Sequence, residues 1–272
     1  GFALAILGAI LFSAKAIVAK LTYRYGVDAL TVMGFRMLFS LPFFAAVGAV
    51  QAYRARVGRQ VRLDWRDALR IVVLGFIGYY LSSYLDFLGL QYITAGLERL
   101  ILFQSPTFVL LISALYLKRR ISVAQWLAMA LSYMGVVLVF LNDLSFAGDN
   151  VLLGATFVLA SAFSYAIYLI SSGELLKRVG STRLVAYAMS TSAVYTLLHF
   201  FHVYGWQGLV QPVEVYQLSL VHAVFHTVFP TFMIMWSVAR VGAPMTSQLG
   251  MIGPVSILFL AWWFLDEPIT LL

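Results

Sequence analysis

A tyrosine-rich segment, residues 78–84 with the sequence GYYLSSY, lies in the middle of an apolar stretch. At helical spacing Tyr80 and Tyr84 share one face. Tyr79 and Ser83 share the neighbouring face. Rings placed in this way would stack on an apolar or aromatic ligand, while their hydroxyls would hydrogen-bond to its polar head. We therefore predict an aromatic wall of a binding cavity here, with ordinary helix packing as the alternative.

His222 and His226 lie four residues apart on one face of a predicted helix, and Thr227 follows directly. Two histidines without a third ligand make a poor zinc site, and Ala223 stands where a zinc protease would have a glutamate. We therefore predict no metal and no cofactor. Substrate binding, proton coupling and a structural hydrogen bond are the alternatives that stay open for the histidines, and Thr227 joins the predicted substrate site.

Two prolines in apolar stretches, Pro106 and Pro254, each remove one helical hydrogen bond and free the carbonyl four residues earlier. Those carbonyls belong to Leu102 and Gly250. A carbonyl freed inside a dry helix bundle needs a partner, and a substrate ammonium group or a water would supply one. A plain kink is the alternative. A sixth apolar stretch adds three further candidates for substrate binding, namely Ser164, Tyr165 and Tyr168.

Five charged residues fall inside apolar stretches: Lys15, Arg36, Asp86, Glu98 and Arg99. Charges are costly in hydrocarbon, so they pair with one another or face water. A rise of about 1.5 Å per helical residue places all five in the outer third of the membrane. We predict a charge network that closes an external gate, couples transport or meets the charged groups of a zwitterion. A static pairing that only fixes the fold is the alternative.

Membrane helices must position these residues, because the composition excludes a soluble fold. Of the 272 residues 62% are hydrophobic and 11% are charged, whereas an ordinary soluble domain has about 25% charged residues. A soluble enzyme and a disordered chain are thus excluded, and the lack of cysteine excludes disulfides. We predict an all-α, polytopic membrane helix bundle, with spans at roughly 2–22, 30–50, 71–92, 95–117, 122–141, 151–172, 184–204, 215–238 and 243–265.

Most lysines and arginines outside the spans lie in loops that share one side of the membrane, around residues 54–70, 118–120 and 177–183. The positive-inside rule assigns this side to the cytoplasm, which places the N-terminus there too. We expect a multi-pass protein of the bacterial inner membrane. The net charge of +7 follows from this topology, so no nucleic acid partner is expected.

The two halves of the chain align at an offset of 148 residues, which places Pro106 on Pro254. Because five spans separate equivalent points, the halves have opposite orientation, a feature of many transporters. We predict a first repeat over residues 1–141 and a second over residues 151–272. The second repeat contains no counterpart of the fifth helix, so we expect a tenth helix beyond residue 272.

Four motifs carry a resemblance to a known family: Leu11-Phe12-Ser13-Ala14, Gly34-Phe35-Arg36-Met37-Leu38, Phe163-Ser164-Tyr165-Ala166 and Leu265-Asp266-Glu267-Pro268-Ile269-Thr270. In this order on an inverted repeat, they resemble the drug/metabolite transporter superfamily, in its ten-helix branch with two EamA-type repeats. The turn Lys118-Arg119-Arg120 departs from that family, which usually has a glutamate there. The resemblance implies that both termini lie in the cytoplasm, and it implies a central cavity and alternating access.

Within that superfamily the chain is most similar to bacterial exporters of aromatic and other neutral amino acids. This similarity implies a secondary transporter of small neutral zwitterions. One alternative is another exported metabolite or drug, such as a nucleoside or a quaternary ammonium compound. An intramembrane enzyme is more distant, because the motifs H-E-x-x-H and G-x-S-x-G are absent from the sequence. The expected partners are a small-molecule substrate and the lipid bilayer, with the chain a monomer or a weak homodimer.

Overall fold

The computed structural model describes residues 1–58, 60–117, 150–241 and 252–266, together with a few single positions between these ranges. In this part of the chain almost every residue is helical and no strand occurs, which confirms the prediction of an all-α, polytopic bundle. A helix satisfies its backbone hydrogen bonds internally, and this is the condition that an apolar membrane interior imposes.

The α-helices of the described residues are, in chain order, α1 (Phe2–Ser13), α2 (Lys15–Tyr23), α3 (Ala29–Arg56), α4 (Trp65–Gly75), α5 (Ser82–Leu90), α6 (Ala95–Leu102), α7 (Ser105–Leu117), α8 (Val151–Val179), α9 (Ser181–Tyr204), α10 (Val213–Ala223), α11 (Phe229–Val241) and α12 (Ile252–Leu265). Two π-helical segments join consecutive helices: Phe76–Leu81 joins α4 to α5, and Val224–Val228 joins α10 to α11.

Six helical stretches of the described residues are long and apolar enough to cross a membrane. They correspond to the first, second, third, sixth, seventh and eighth predicted spans: Phe2–Tyr23, Ala29–Arg56, Trp65–Leu90, Val151–Ser172, Ser181–Leu209 and Val213–Ile234. The fourth predicted span is divided into α6 and α7, and α12 lies within the ninth. Apart from single positions, the fifth, at 122–141, lies outside the described residues.

Two spans are interrupted close to the charged residues that they carry. α1 ends at Ser13 and α2 begins at Lys15, so this lysine stands in the first turn of a new helix. α6 begins after Thr94, whose hydroxyl accepts a hydrogen bond from the Leu97 backbone N–H at 3.1 Å. Such a cap fixes the start of a helix, and here it fixes the position of Glu98 in the first turn of α6.

The two halves of the sequence pack into one another. α8 lies along α5 and the π-helical segment before it, α9 lies along α3, and α1 packs against α11 and α12. Each of these contacts joins a helix that precedes residue 118 to one that follows residue 149. α9 also contacts α4 and the same π-helical segment. Side chains of the third span therefore meet those of the sixth and seventh spans in the interior.

Small residues bring α5 and α8 close together. A Cβ atom on Gly89 would lie 2.6 Å from the Gly154 carbonyl oxygen, and one on Gly154 would lie 2.9 Å from the Gly89 carbonyl oxygen. About two turns away from this contact, Ser161 Oγ donates to the Ser82 carbonyl at 2.7 Å, and Ser82 Oγ donates to the Ser161 carbonyl at 3.2 Å. Small residues and serine hydroxyls are the usual means of close helix packing in membranes.

The two π-helical segments occupy matching places in the third and eighth spans. They begin at Phe76 and Val224, which are 148 residues apart, the same offset that aligns Pro106 with Pro254. π-helical turns are rare and occur frequently at functional sites, because they widen the helix and redirect its side chains. Predicted site residues of both halves lie in these turns: Tyr79, Tyr80, His226 and Thr227.

Candidate functional site

A first aromatic group joins the third span to the sixth. The Tyr79 and Tyr168 hydroxyls lie 3.2 Å apart within hydrogen-bond reach, and their ring centroids are 5.0 Å apart. Tyr165 stacks on Tyr168 at 5.6 Å. Nearby, Ser164 Oγ donates to the Ile77 carbonyl at 2.8 Å, inside the π-helical segment. The structure thus brings three predicted tyrosines together and engages the Ser164 hydroxyl in a contact between helices.

A second aromatic group joins the third span to the seventh. The Tyr80 and Tyr84 rings, which their spacing places on one face, are almost parallel, with an interplanar angle of 4° and 6.3 Å between centroids. The Tyr80 hydroxyl is hydrogen-bonded to His199 Nδ1 at 2.8 Å. Tyr195 packs beside Tyr80 with centroids 5.9 Å apart. Sequence reasoning missed both partners on α9, His199 and Tyr195.

The tyrosines of the third span are only partly buried although they lie near its middle. Tyr79, Tyr80 and Tyr84 all have intermediate exposure, as does Ser83. The Tyr79 and Tyr80 hydroxyls bond to Tyr168 and His199, because polar groups at this depth need partners that lipid chains do not offer. The parts of these side chains that stay exposed are free to contact a ligand or lipid.

Four of the five predicted membrane charges form one buried network. Lys15 Nζ makes an ion pair with Asp86 Oδ2 and lies 3.7 Å from Glu98 Oε1. Glu98 Oε2 lies 3.9 Å from Arg99 Nε. Each of these four residues is at least nine-tenths buried, and Glu98 is fully buried. The network therefore contains two cations and two carboxylates, and its formal charges balance.

Arg99 has a second partner in the backbone of α1. Its Nη2 atom donates to the Phe12 carbonyl at 3.2 Å and to the Ser13 carbonyl at 3.1 Å. The last carbonyls of a helix have no partner within that helix and carry partial negative charge. The Arg99 guanidinium donates hydrogen bonds to these carbonyls and places a positive charge beside them. Arg99 of α6 therefore stabilises the interruption before Lys15.

The carboxylates of the network are incompletely hydrogen-bonded. Among the described residues neither oxygen of Glu98 accepts a hydrogen bond, and Asp86 Oδ1 accepts none either. A buried carboxylate is stable only when charges and donors around it replace the lost hydration. Glu98 depends on its two cationic neighbours alone, which makes it the acid of this site most sensitive to the movement of Lys15 or Arg99.

Arg36, the fifth predicted charge, lies apart from these ion pairs and packs on an aromatic ring. Its guanidinium carbon is 4.8 Å from the centroid of Phe87, which is a cation–π distance. Its Nε and Nη2 atoms have no hydrogen-bond partner among the described residues. Sequence reasoning missed Phe87, although this ring directly follows Asp86 and lies between two predicted site residues, Arg36 and His222.

The histidine pair separates into two different environments. His226 Nδ1 hydrogen-bonds to the Leu11 carbonyl at 2.7 Å. This is the structural hydrogen bond that the sequence left open as an alternative to substrate binding and proton coupling. His222 is fully buried, its ring lies 5.5 Å from that of Phe87, and neither of its nitrogens has a hydrogen-bond partner in the part of the chain that the structure describes. Thr227 Oγ1 donates to the His222 carbonyl at 3.1 Å. Within the described residues, no three histidine, aspartate or glutamate residues are grouped as a metal would require.

The interpretation of the first proline needs a correction. The fourth span breaks at Phe103 and Gln104, and Pro106 lies in the first turn of α7, where a proline costs no helical hydrogen bond. The Leu102 carbonyl was expected to lack a partner in its own chain, but it accepts a hydrogen bond from Ser105 Oγ at 2.7 Å. Gly250 and the side chain of Pro254 lie outside the described residues.

A comparison with protein families gives one match that extends over almost the whole chain. The description of the matching family is "EamA-like transporter family", and residues 1–141 and 152–272 match it separately. These two ranges leave out only the connection between the halves.

Individual relatives agree with this match. "Uncharacterized transporter YcbK" of Bacillus subtilis (strain 168) is 28% identical over 272 residues, which are 98% of this chain and 86% of that protein. "Uncharacterized transporter YdfC" of the same organism is 26% identical over 85% of this chain and 74% of its own length. A solved structure described only as "Crystal structure of protein" superimposes with a TM-score of 0.61 at 18% identity, covering 98% of this chain and 89% of that one. This last similarity concerns the fold alone.

Proposed function

The chain belongs to the EamA-like transporter family, and on that premise we propose that it exports small neutral zwitterions, above all aromatic and other hydrophobic amino acids. Export across the bacterial inner membrane would proceed by alternating access, with the N-terminus in the cytoplasm. The observation that carries this proposal is the set of partly exposed tyrosines near the middle of the third span, Tyr79, Tyr80 and Tyr84. No chemical conversion of the substrate is proposed.

The chemistry of the two aromatic groups supports a substrate with an apolar or aromatic side chain. The parallel rings of Tyr80 and Tyr84 offer a face on which such a side chain stacks. The hydroxyls of Tyr79 and Tyr168 already bond to each other and have further hydrogen-bonding capacity for a polar head. Neither aromatic group, as the described residues define it, contains a lysine or an arginine, which disfavours an anionic substrate.

The charge network supports a gate on the outer side. Lys15 begins α2, Asp86 lies in α5 and Glu98 in α6, so the ion pairs tie three helices together. Arg99 adds the end of α1 to this assembly. Opening an outer gate by moving α1 and α2 would break these contacts, and protonation of Glu98 would weaken them. We therefore propose that this network both closes the gate and couples its opening to protons.

A second candidate substrate class is an amphiphilic cation, such as a quaternary ammonium drug. The stacked tyrosine faces favour it, because cations bind to the faces of aromatic rings. Nucleosides would stack on the same rings. These classes differ from amino acids in lacking the paired ammonium and carboxylate groups, so competition experiments separate them.

Transport into proteoliposomes tests the proposal. The purified chain is reconstituted, and uptake of labelled tryptophan, leucine and glutamate is measured with and without a pH gradient, against liposomes without protein. We expect saturable uptake of tryptophan and leucine but not of glutamate. Saturable uptake of labelled tetraethylammonium or thymidine, without uptake of any amino acid, would replace the amino acid assignment with the second class.

Matched variants assign that uptake to the aromatic groups. Tyr80→Ala removes a stacked ring and should raise the KM for tryptophan at least several-fold, whereas Tyr80→Phe keeps the ring and should change it less. Tyr53→Ala removes a tyrosine that is 65% exposed at the end of α3 and serves as the control. Equal effects of the Tyr80→Ala and Tyr53→Ala variants would contradict the assignment.

A further inference from the structure

A cavity of about 510 Å³, broadly open at the surface, lies at the end of α3. Its charged lining consists of Arg56 at the end of α3, Arg62 in the following connection and Arg183 in the first turn of α9. Leu63, Tyr187 and two alanines of α3 complete the wall. Among these lining residues three are cationic and none is acidic, so the cavity is suited to an anion.

Arg183 is the buried anchor of this cavity. It is 4% exposed, its Nη1 donates to the Val61 carbonyl at 2.6 Å, and its guanidinium carbon lies 5.7 Å from the centroid of the Tyr187 ring. Its Nε has no hydrogen-bond partner among the residues that the structure describes. No ion pair of the described residues includes it, although a buried charge without a counter-charge is costly. An anion in the cavity would supply that counter-charge.

The start of α9 adds positive potential beside Arg183. α9 begins at Ser181 after Gly180, which has a φ of 83° and provides no side-chain cap. The first backbone N–H groups of a helix have no intrahelical acceptor, and the helix dipole makes this end attractive to anions. Arg183 is the third residue of this helix. Its positive charge and the positive potential of the helix N-terminus therefore act at the same wall of the cavity.

We propose that this cavity binds a phosphate ester group, supplied by an anionic phospholipid of the surrounding membrane. Arginine binds phosphate oxygens with two parallel N–H donors, and basic pockets between membrane helices are typical headgroup sites. The position fits a lipid, because one candidate span ends at Arg56 and another begins at Ser181. Tyr53 and Trp65, which are 65% and 68% exposed nearby in the sequence, are residue types of the membrane–water interface.

The site does not depend on the proposed transport function, and its test measures binding alone. The midpoint of thermal unfolding of the purified full-length chain is followed in detergent during titration with phosphatidylglycerol, phosphatidylcholine or inorganic phosphate at constant ionic strength. The test variant is Arg56→Gln/Arg62→Gln, which spares the buried Arg183. The matched control is Arg54→Gln/Arg70→Gln, which removes two exposed arginines of α3 and α4 that do not line the cavity.

We expect phosphatidylglycerol to raise the midpoint more than phosphatidylcholine does. The apparent affinity should fall about fivefold for each arginine removed in the test variant and stay unchanged in the control. An equal response to inorganic phosphate, lost in the same variant, would retain the phosphate site but assign it to a free anion. Equal losses in both double variants, or equal responses to the two lipids with no response to phosphate, would overturn the proposal.

Discussion

Arg99 donates from Nη2 to the Ser13 carbonyl at 3.1 Å, so a side chain of α6 stabilises the carboxyl end of α1. The same guanidinium lies beside the fully buried Glu98. Arg99 therefore connects the interruption of the first span to the buried charge network.

Replacement of Arg99 should destabilise the protein strongly. Arg99→Gln leaves Glu98 with one cationic neighbour and the α1 carbonyls with a weaker donor, and breaking a buried ion pair costs about 3–5 kcal/mol. Unfolding in detergent should occur at a clearly lower temperature than in the exposed control Arg54→Gln. Arg99→Lys keeps the charge but not the paired donors, so it should fall between the two. An unchanged midpoint in Arg99→Gln would contradict this role.

Neutralising Glu98 should affect transport more than folding. Glu98→Gln removes the charge that Lys15 and Arg99 share, so we expect transport at least tenfold slower and without its dependence on the pH gradient. Asp67→Asn is the control, because Asp67 is also buried and is ion-paired with Arg178 at 2.9 Å, outside the charge network. Loss of folding in Glu98→Gln, with normal pH dependence in the protein that remains, would indicate static pairing instead.

The two buried histidines should respond differently to substitution. His226 is bonded to the Leu11 carbonyl, so His226→Leu should lower the thermal stability by about 1–3 kcal/mol through the unsatisfied carbonyl. His222 makes no such bond, so His222→Leu should keep the stability while changing the rate or pH dependence of transport. Thermal stability and transport are measured for both variants. Equal effects of His222→Leu and His226→Leu on these two properties would contradict the prediction.

Asp28 should stabilise the protein at neutral pH and lose this effect in acid. Burial by itself would raise the pKa of Asp28, but the hydrogen bonds from Tyr204 and Thr31 outweigh burial and hold the pKa below its ordinary value of 3.8. The Tyr204 hydroxyl donates to Asp28 Oδ2 at 2.5 Å, and the Thr31 N–H donates to Oδ1 at 2.9 Å. A lowered pKa means that the stabilisation is complete above the unfolded pKa and declines as the pH falls through the folded one.

The corresponding variant is Asp28→Ala, which removes the cap of α3 and the Tyr204 bond together. This variant should lower the free energy of unfolding by about 1–2 kcal/mol at pH 7. The difference in stability from the wild type should shrink below a pH of about 4. Tyr204→Phe, which removes one of the donors, should show part of the same effect. A difference that does not change with pH would show that Asp28 contributes through its shape alone.

The class of fold was predictable from the sequence alone. Long apolar stretches must be helices, because only a helix satisfies the backbone in lipid, and charges inside such stretches must find partners. For this reason the ion pairs of Lys15 with Asp86 and Glu98 agree with the expectation that buried charges pair, and Tyr80 and Tyr84 lie beside each other on the face that their spacing predicts.

The contacts between side chains of different helices depend on tertiary packing and were not predictable from the sequence. Spacing makes His222 and His226 equivalent, but the packing of α1 gives His226 a backbone carbonyl and leaves His222 against Phe87. The sequence does not reveal the two π-helical segments, because a π turn depends on the packing of neighbouring helices. The break at Phe103 and Gln104 arises ahead of Pro106 rather than at a kink. Local sequence determines that a helix forms, while contacts between distant residues determine where it is interrupted and which side chains meet there.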